Sequence, residues 1–277
     1  MRLKQIGVKT SLLDSRLILQ EVLNINYEEL LVSATRIITE EEVEKFEALL
    51  LRRIKREPVS KIFGRKDFWK YTFKTNKFTL DPRPETETLI DAVLSRYKDH
   101  ERELKILDLG TGTGCLLITL LKEYPNATGL GVDISMEALQ VAGENANNLE
   151  VMDRANFIKG NWLDGIEEKF DIIVSNPPYI KTKIIDSLPS EVRFYDPISA
   201  LDGGESGLDC YEQIMKDIEK NMNAHAHVFF EIGKWQEMEV PELITGKGFE
   251  IKEVKKDLLG IPRIIEFNKP YLKVIKH

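Results

Sequence analysis

Among 277 residues there are only two cysteines, Cys115 and Cys210, so no disulfide framework is available and a reducing, cytoplasmic setting is expected. No apolar run approaches the ~18 residues that a membrane-spanning helix needs, and the first residues lack the charged-then-apolar plan of a signal peptide. No membrane partner is therefore expected. Histidine is scarce as well: His225 and His227 alternate in a strand-like stretch with no Cys or acid at ligand spacing, so no metal site is expected. Internal repeats and low-complexity tracts are also missing.

What is present is an ordinary globular composition, 42% apolar and 31% charged, with enough length for one large domain and a small one. The net charge of −7 is unevenly placed. Residues 1–80 carry 16 Lys and Arg against 11 Asp and Glu, and the remainder 23 against 35, which suggests two domains. The run Arg52-Arg53-Ile54-Lys55-Arg56 reads either as a solvated helix end or as a docking face for an acidic or nucleic-acid-bearing partner.

Residues 10–56 read as a helical module. Thr39-Glu40-Glu41-Glu42 is a capping box, followed by Val43, Phe46, Leu50 and Ile54 at helical spacing. From Phe63 to Leu80 the pattern alternates, and a β-hairpin turning at Thr75-Asn76-Lys77 is expected. Asp81-Pro82-Arg83-Pro84-Glu85-Thr86-Glu87 is held extended by its prolines, as a linker or a lid, and Thr86 or Glu85 can cap the helix that follows.

After residue 103 strand and helix alternate. Strands are expected at 104–109, 127–132, 155–158, 170–175 and 227–232, with a closing antiparallel pair at 249–254 and 263–267. Helices fall between them, including one at 207–222. This predicts an α/β fold, a doubly wound, mostly parallel seven-stranded sheet, preceded by the small helical domain and its hairpin.

Three strand exits carry a cofactor signal. Asp108-Leu109-Gly110-Thr111-Gly112-Thr113-Gly114 runs from the first strand into a helix, with glycines spaced unlike the dinucleotide fingerprint and no P-loop lysine. Asp108 would repel pyrophosphate but welcome a cationic amino-acid group, which favours a sulfonium or amino-acid-bearing nucleoside. Asp133 ends the second strand, placed to accept from ribose hydroxyls or to cap a helix, although Ser135 can do the latter. Asn161 and Trp162 follow the third strand, where an amide can bond an adenine amino group and an indole border its ring. At the fourth exit, Asn176-Pro177-Pro178-Tyr179 either merely stops a strand or presents acceptors and a flat face to an amino group.

Together these exits resemble class I S-adenosylmethionine-dependent methyltransferases, and Asn176-Pro177-Pro178-Tyr179 resembles the tetrad of those that methylate a planar amino nitrogen. Further segments narrow the likeness: Pro82-Arg83-Pro84-Glu85-Thr86-Glu87, Ala200-Leu201-Asp202-Gly203-Gly204 and Glu231-Ile232-Gly233. Over nearly its whole length the chain resembles protein-(glutamine-N5) methyltransferases that modify peptide chain release factors. It departs from them at Asp81, where an apolar residue is usual, and at Lys234-Trp235.

The resemblance implies a helical recognition domain at 1–60, a hairpin and linker at 61–84 and a methyltransferase domain at 85–277. It implies S-adenosyl-L-methionine held by Asp108, Gly110, Thr111, Gly112, Thr113, Gly114, Asp133, Asn161, Trp162 and Asn176, with S-adenosyl-L-homocysteine as product. The partner implied is a class I release factor, methylated at the glutamine of its Gly-Gly-Gln loop, and no nucleic-acid substrate is expected. Asn176 Oδ1 and the Pro177 carbonyl would accept the two amide hydrogens, Pro178 would stiffen the turn and Tyr179 would border the amide plane. Two other readings share these features, an amino methyltransferase of adenine or cytosine and an idle ribosome-associated module. The acidic larger part argues against the first, and the intact motifs against the second.

Overall fold

The capping box forms as the sequence leads one to expect. Thr39 Oγ1 accepts from the Glu42 N–H at 3.3 Å and Glu42 accepts from the Thr39 N–H at 2.9 Å, so the helix Glu40–Ile54 has a defined start. The computed structural model describes residues 2–32 and 35–270. Its chain forms two units, Met1–Gly64 with Pro189–Tyr195, and Arg65–Leu188 with Asp196–His277. Residues 61–64 and 189–195 thus group with the helical unit, where the sequence reading had assigned them elsewhere, and the hairpin groups with the sheet.

In the helical unit, Ser11–Leu23, Tyr27–Val32, Glu40–Ile54 and Val59–Phe63 are helices around a small apolar centre that includes Leu3, Val8 and Leu50. The basic run is not a free docking face. Arg53 is 5% exposed and donates to Asp14 at 2.7 Å and to Glu191 at 3.2 Å. Arg56 reaches the same Glu191 carboxylate at 3.2 Å, and Arg52 makes a two-pronged contact with Glu57 at 2.8 and 2.6 Å. Each of the three arginines meets a carboxylate of its own unit, but only Arg53 is buried, and breaking its buried pair would cost about 3–5 kcal/mol.

The larger unit begins with a hairpin of β1 (Arg65–Phe68) and β2 (Tyr71–Lys74). Its turn lies at Trp69-Lys70, not at the expected Thr75-Asn76-Lys77. Trp69 takes a left-handed φ of 57° and is held there by its N–H on Glu87 (2.7 Å) and its indole on Glu123 (2.8 Å). Propensity cannot foresee a tryptophan in that conformation.

The sheet contains β3 (Lys105–Leu109), β4 (Thr128–Asp133), β5 (Ala155–Lys159), β6 (Phe170–Ser175), β7 (Met222–Glu231), β8 (Glu250–Lys256) and β9 (Pro262–Asn268). Their order is β5-β4-β3-β6-β7-β9-β8, with β9 antiparallel to both neighbours and the other pairings parallel. The doubly wound, seven-stranded sheet is therefore as expected. Alternate residues feed two cores: Ile106, Ile172, Val174 and Phe229 on one face, Leu107, Leu109, Ile173 and Phe230 on the other.

The helix expected at 207–222 is shorter, Asp209–Asp217, and a tight turn Ile218–Asn221 follows. Asn221 ends it by donating to the carbonyls of Ile166 and Glu168, both at 2.8 Å. Among the described residues no helix is long and apolar enough to cross a membrane, and no group of His, Cys, Asp and Glu could hold a metal ion. The order in which successive strands are added reverses at β3, so that β6 and not β2 lies beside it, and it is there, at the carboxyl ends of the strands, that such a sheet opens a crevice.

Candidate active site

One wall of the site is a glycine turn. Gly110, Gly112 and Gly114 have φ of 74°, 54° and 79°, a region that other residues rarely enter. A Cβ on Gly114 would lie 2.7 Å from Ile118 Cδ1, so the turn could not enter the helix Cys115–Glu123 with a larger residue there. The N–H groups of Gly110 and Thr111 bind the Val132 carbonyl at 2.8 and 2.9 Å, fastening the turn to β4.

Two carboxylates flank it. Asp133 stands on the cleft wall, where Oδ2 accepts from the Gly112 N–H and Oδ1 from the Ser135 N–H, both at 2.9 Å. Burial raises its pKa and these N–H bonds oppose the rise. Ser135 supplies the helix cap instead, accepting from Ala138 at 3.1 Å, which leaves Asp133's remaining lone pairs for a ligand. Asp108 differs. It lies beneath the turn, 1% exposed and off the cleft wall, with Oδ2 accepting from Thr111 at 2.6 Å and Oδ1 unpartnered. Burial pushes its pKa up to about 7, against the Thr111 bond.

Gly110, Thr111, Gly112, Thr113, Asp133, Asn161, Trp162, Asn176 and Pro178 all line one cleft, which encloses about 1140 Å³ with the open solvent at its mouth included. Trp162 lies over the turn, 3.4 Å from where a Cβ of Gly110 would be, and its indole donates to Gln213 at 3.1 Å. Asn161 is exposed and reaches toward Asp164 at 3.4 Å. Cys115 also lines the cleft, and burial pushes its thiol up to about 12, which disfavours the thiolate there.

The opposite wall is made of side chains and loops. Asn176 Nδ2 donates to Thr86 Oγ1 at 3.2 Å. Thr86 stands at the helix N-cap, but its side chain makes no cap bond, contrary to expectation, and the residue lines the cleft. Gly114, Pro177 and Tyr179 are not on the cleft wall. The Tyr179 ring lies against Gly233 and packs on the core, so it supports the tetrad from behind; a phenyl body of that size favours burial over a wet edge.

Sequence reasoning missed part of this wall. Phe78, Pro82 and Arg83 line it, which settles the linker-or-lid question in favour of the cleft, and Arg83 pairs with Asp196 at 2.5 Å. Pro197, Ser199 and Ala200 line it too. The following segment lies on the tetrad backbone: the Gly203 N–H binds the Ile180 carbonyl at 2.8 Å, and a Cβ there would meet Pro178 O and Tyr179 Cα at 2.8 Å. The paired glycines at 203 and 204 were the available signal, since a close backbone approach requires them.

A glycine cradle, an acidic ribose-sized partner at Asp133, an indole over the turn and an orphaned buried carboxylate oxygen at Asp108 fit a nucleoside bearing an amino-acid group. They do not fit a pyrophosphate, which the two carboxylates would repel.

Family profiles agree with this geometry: residues 85–188 match the methyltransferase small domain and residues 1–64 match the PrmC N-terminal domain. Among solved structures, the ribosomal protein L11 methylase of Lactobacillus delbrueckii subsp. bulgaricus superposes with a TM-score of 0.52 at 20% identity, covering 74% of this chain and 91% of that one. The hMettl16 catalytic domain, in complex with MAT2A 3'UTR hairpin 6, gives 0.57 at 16% identity, covering 83% and 82%. At such identities these two share the fold.

Curated relatives are far more similar. The release factor glutamine methyltransferase of Caulobacter vibrioides is 40% identical over 95% of this chain and 91% of its own length. That of Rhodospirillum rubrum is 41% identical over 95% and 81%. The bifunctional methyltransferase of Rickettsia felis is 37% identical over 96% of this chain and 56% of its own. The chain belongs to the release factor glutamine methyltransferases, a family of S-adenosylmethionine-dependent enzymes.

Proposed function

We propose that the protein transfers the methyl group of S-adenosyl-L-methionine to the side-chain N5 of the glutamine in the Gly-Gly-Gln motif of class I peptide chain release factors, and so modulates translation termination. The observation that carries this reading is Asn176 on the cleft wall at the end of β6, opposite the glycine turn and oriented by Thr86. We place the reaction in the cytoplasm, where the two free thiols, Cys115 and Cys210, stay reduced.

S-adenosylmethionine supplies an electrophilic methyl carbon on a sulfonium. Gly110, Thr111, Gly112 and Thr113 cradle it, with Gly114 shaping the turn behind them; Asp133 on the wall accepts from its ribose, Asp108 beneath the turn adds acidic character toward its ammonium, and Asn161 and Trp162 border the adenine. Asn176 Oδ1, on the cleft wall, accepts one hydrogen of the glutamine amide, the Pro177 carbonyl directly behind it is the acceptor that the tetrad offers for the other, and Pro178 and Tyr179 fix the turn. The amide nitrogen is a poor nucleophile because its lone pair is shared with the carbonyl. Holding it in line, with acceptors aimed at the positive charge growing on it, supplies up to about 7–11 kcal/mol. The bound donor would give its methyl carbon to the amide nitrogen while its sulfur kept the electron pair of the broken sulfur–carbon bond, and the extra amide proton would pass to water. No general base with a raised pKa is needed.

Methylation of adenine or cytosine uses the same tetrad but lacks support in the charge. Residues 81–277 carry 23 basic against 35 acidic groups, unfavourable beside a phosphate backbone. The test is to incubate the protein with methyl-labelled S-adenosylmethionine and either a release factor, the same factor with its glutamine replaced, or DNA. Label on the intact factor alone is expected; label on DNA, or on the glutamine-replaced factor, would overturn the assignment.

A further inference from the structure

We infer that Thr86 and Glu231 are positioning residues: together they fix which end of the Asn176 side-chain amide faces the cleft. This rests on the reading of Asn176 as the acceptor for the substrate amide. An asparagine amide has two ends of opposite sense, Oδ1 accepting and Nδ2 donating. Only the first can bond an incoming NH2 group, and nothing in the Asn-Pro-Pro-Tyr tetrad itself selects it.

The selection comes from outside the tetrad. In the register of the paired strands, Ser175 of β6 lies beside Phe230 of β7, so Asn176 and Glu231 stand one step further along neighbouring chains. Thr86, from the turn Pro84–Thr86, reaches Asn176. Asn176 Nδ2 donates to Thr86 Oγ1 at 3.2 Å, and the nearby Thr86 hydroxyl lowers the pKa of the Glu231 carboxyl, as a donor to it would. Thr86 is 3% and Glu231 2% exposed, and Glu231 Oε2 has no partner. A hydroxyl has one proton. When the carboxylate takes it, the Thr86 oxygen can only accept, Asn176 must offer Nδ2, and Oδ1 is left for the substrate. A protonated Glu231 can donate instead, and the relay can then run backward and present Nδ2 to the substrate.

Glu231 therefore has to be ionised for the relay to hold one direction. Burial pushes its pKa up to about 7, with the Thr86 bond and Arg263 and Arg83 opposing and Glu85 reinforcing. The Tyr211 hydroxyl donates to the Glu231 backbone carbonyl at 2.7 Å, and Tyr179 and Cys115 also feel its charge. The direction holds above about pH 7 and is lost as pH falls through that value.

The experiment measures kcat and KM for release-factor methylation, and S-adenosylmethionine affinity, between about pH 5.5 and 9 for wild type, Thr86→Val, Thr86→Ser and Glu231→Gln. Thr86→Val should lower kcat by about tenfold or more, with the affinity for S-adenosylmethionine changed less than about threefold. Thr86→Ser, which keeps the hydroxyl, should recover most of the loss. Glu231→Gln, nearly the same shape, should remove the acid limb of the wild-type kcat profile. An unchanged kcat in Thr86→Val, equal impairment in Thr86→Ser, or an intact acid limb in Glu231→Gln would overturn the relay while leaving the glutamine reading standing. Wild type that fails to label the release factor would overturn both.

Discussion

The two walls of the cleft are built from different materials. On the β3–β4–β5 side the cradle is backbone: three glycines in the left-handed region and N–H bonds to the Val132 carbonyl and to Asp133. On the β6–β7 side the wall is side chains, Asn176 held by Thr86 from 90 residues away, with the loop at 197–203 laid against the tetrad. The first wall recognises a ligand of fixed shape and can be rigid. The second must orient an amide on another protein, which calls for directional groups whose own orientation is secured. The contrast separates binding of the methyl donor from choice of the acceptor, and each can be disturbed without the other.

A backbone cradle should tolerate no added side chain. Gly114→Ala forces a left-handed residue and places Cβ 2.7 Å from Ile118 Cδ1, in a packed core. About 2–4 kcal/mol of stability should be lost, with S-adenosylmethionine binding reduced in parallel, as read by denaturant titration and calorimetry. A variant as stable as wild type would break the comparison. A smaller effect sharpens it: Asp133→Asn keeps the shape of the side chain and removes its charge. S-adenosylmethionine affinity should fall about tenfold, near 1.4 kcal/mol, while the release-factor KM stays put; a shift in KM alone would show that the two walls are not separable.

The same contrast explains what the sequence reveals. The sheet could be read almost strand by strand, because β3, β4 and β6 alternate between two cores and end at glycine, aspartate or proline. The glycine turn was legible for the same local reason. Arg53 was not, since a basic run normally marks solvent, and only the fold brings Asp14 and Glu191 to it. The Trp69 turn was hidden by an aromatic residue in a glycine-like conformation. Tyr179 was set on the cleft edge by analogy with stacking, whereas Gly233 gives its ring a place in the core. Thr86 reads as a helix cap, whereas its hydroxyl is bonded to Asn176, a neighbour only after folding.

Asn176 joins the two walls, and one measurement on it bears most directly on the account: the single-turnover rate of methyl transfer to a release factor by Asn176→Ala, with S-adenosylmethionine bound at saturation. The rate should fall by about 10²–10³, equivalent to ~2.7–4 kcal/mol, while S-adenosylmethionine affinity changes by less than about tenfold. A variant that still methylates the glutamine at a rate within about tenfold of wild type would contradict Asn176 as the group that holds the amide.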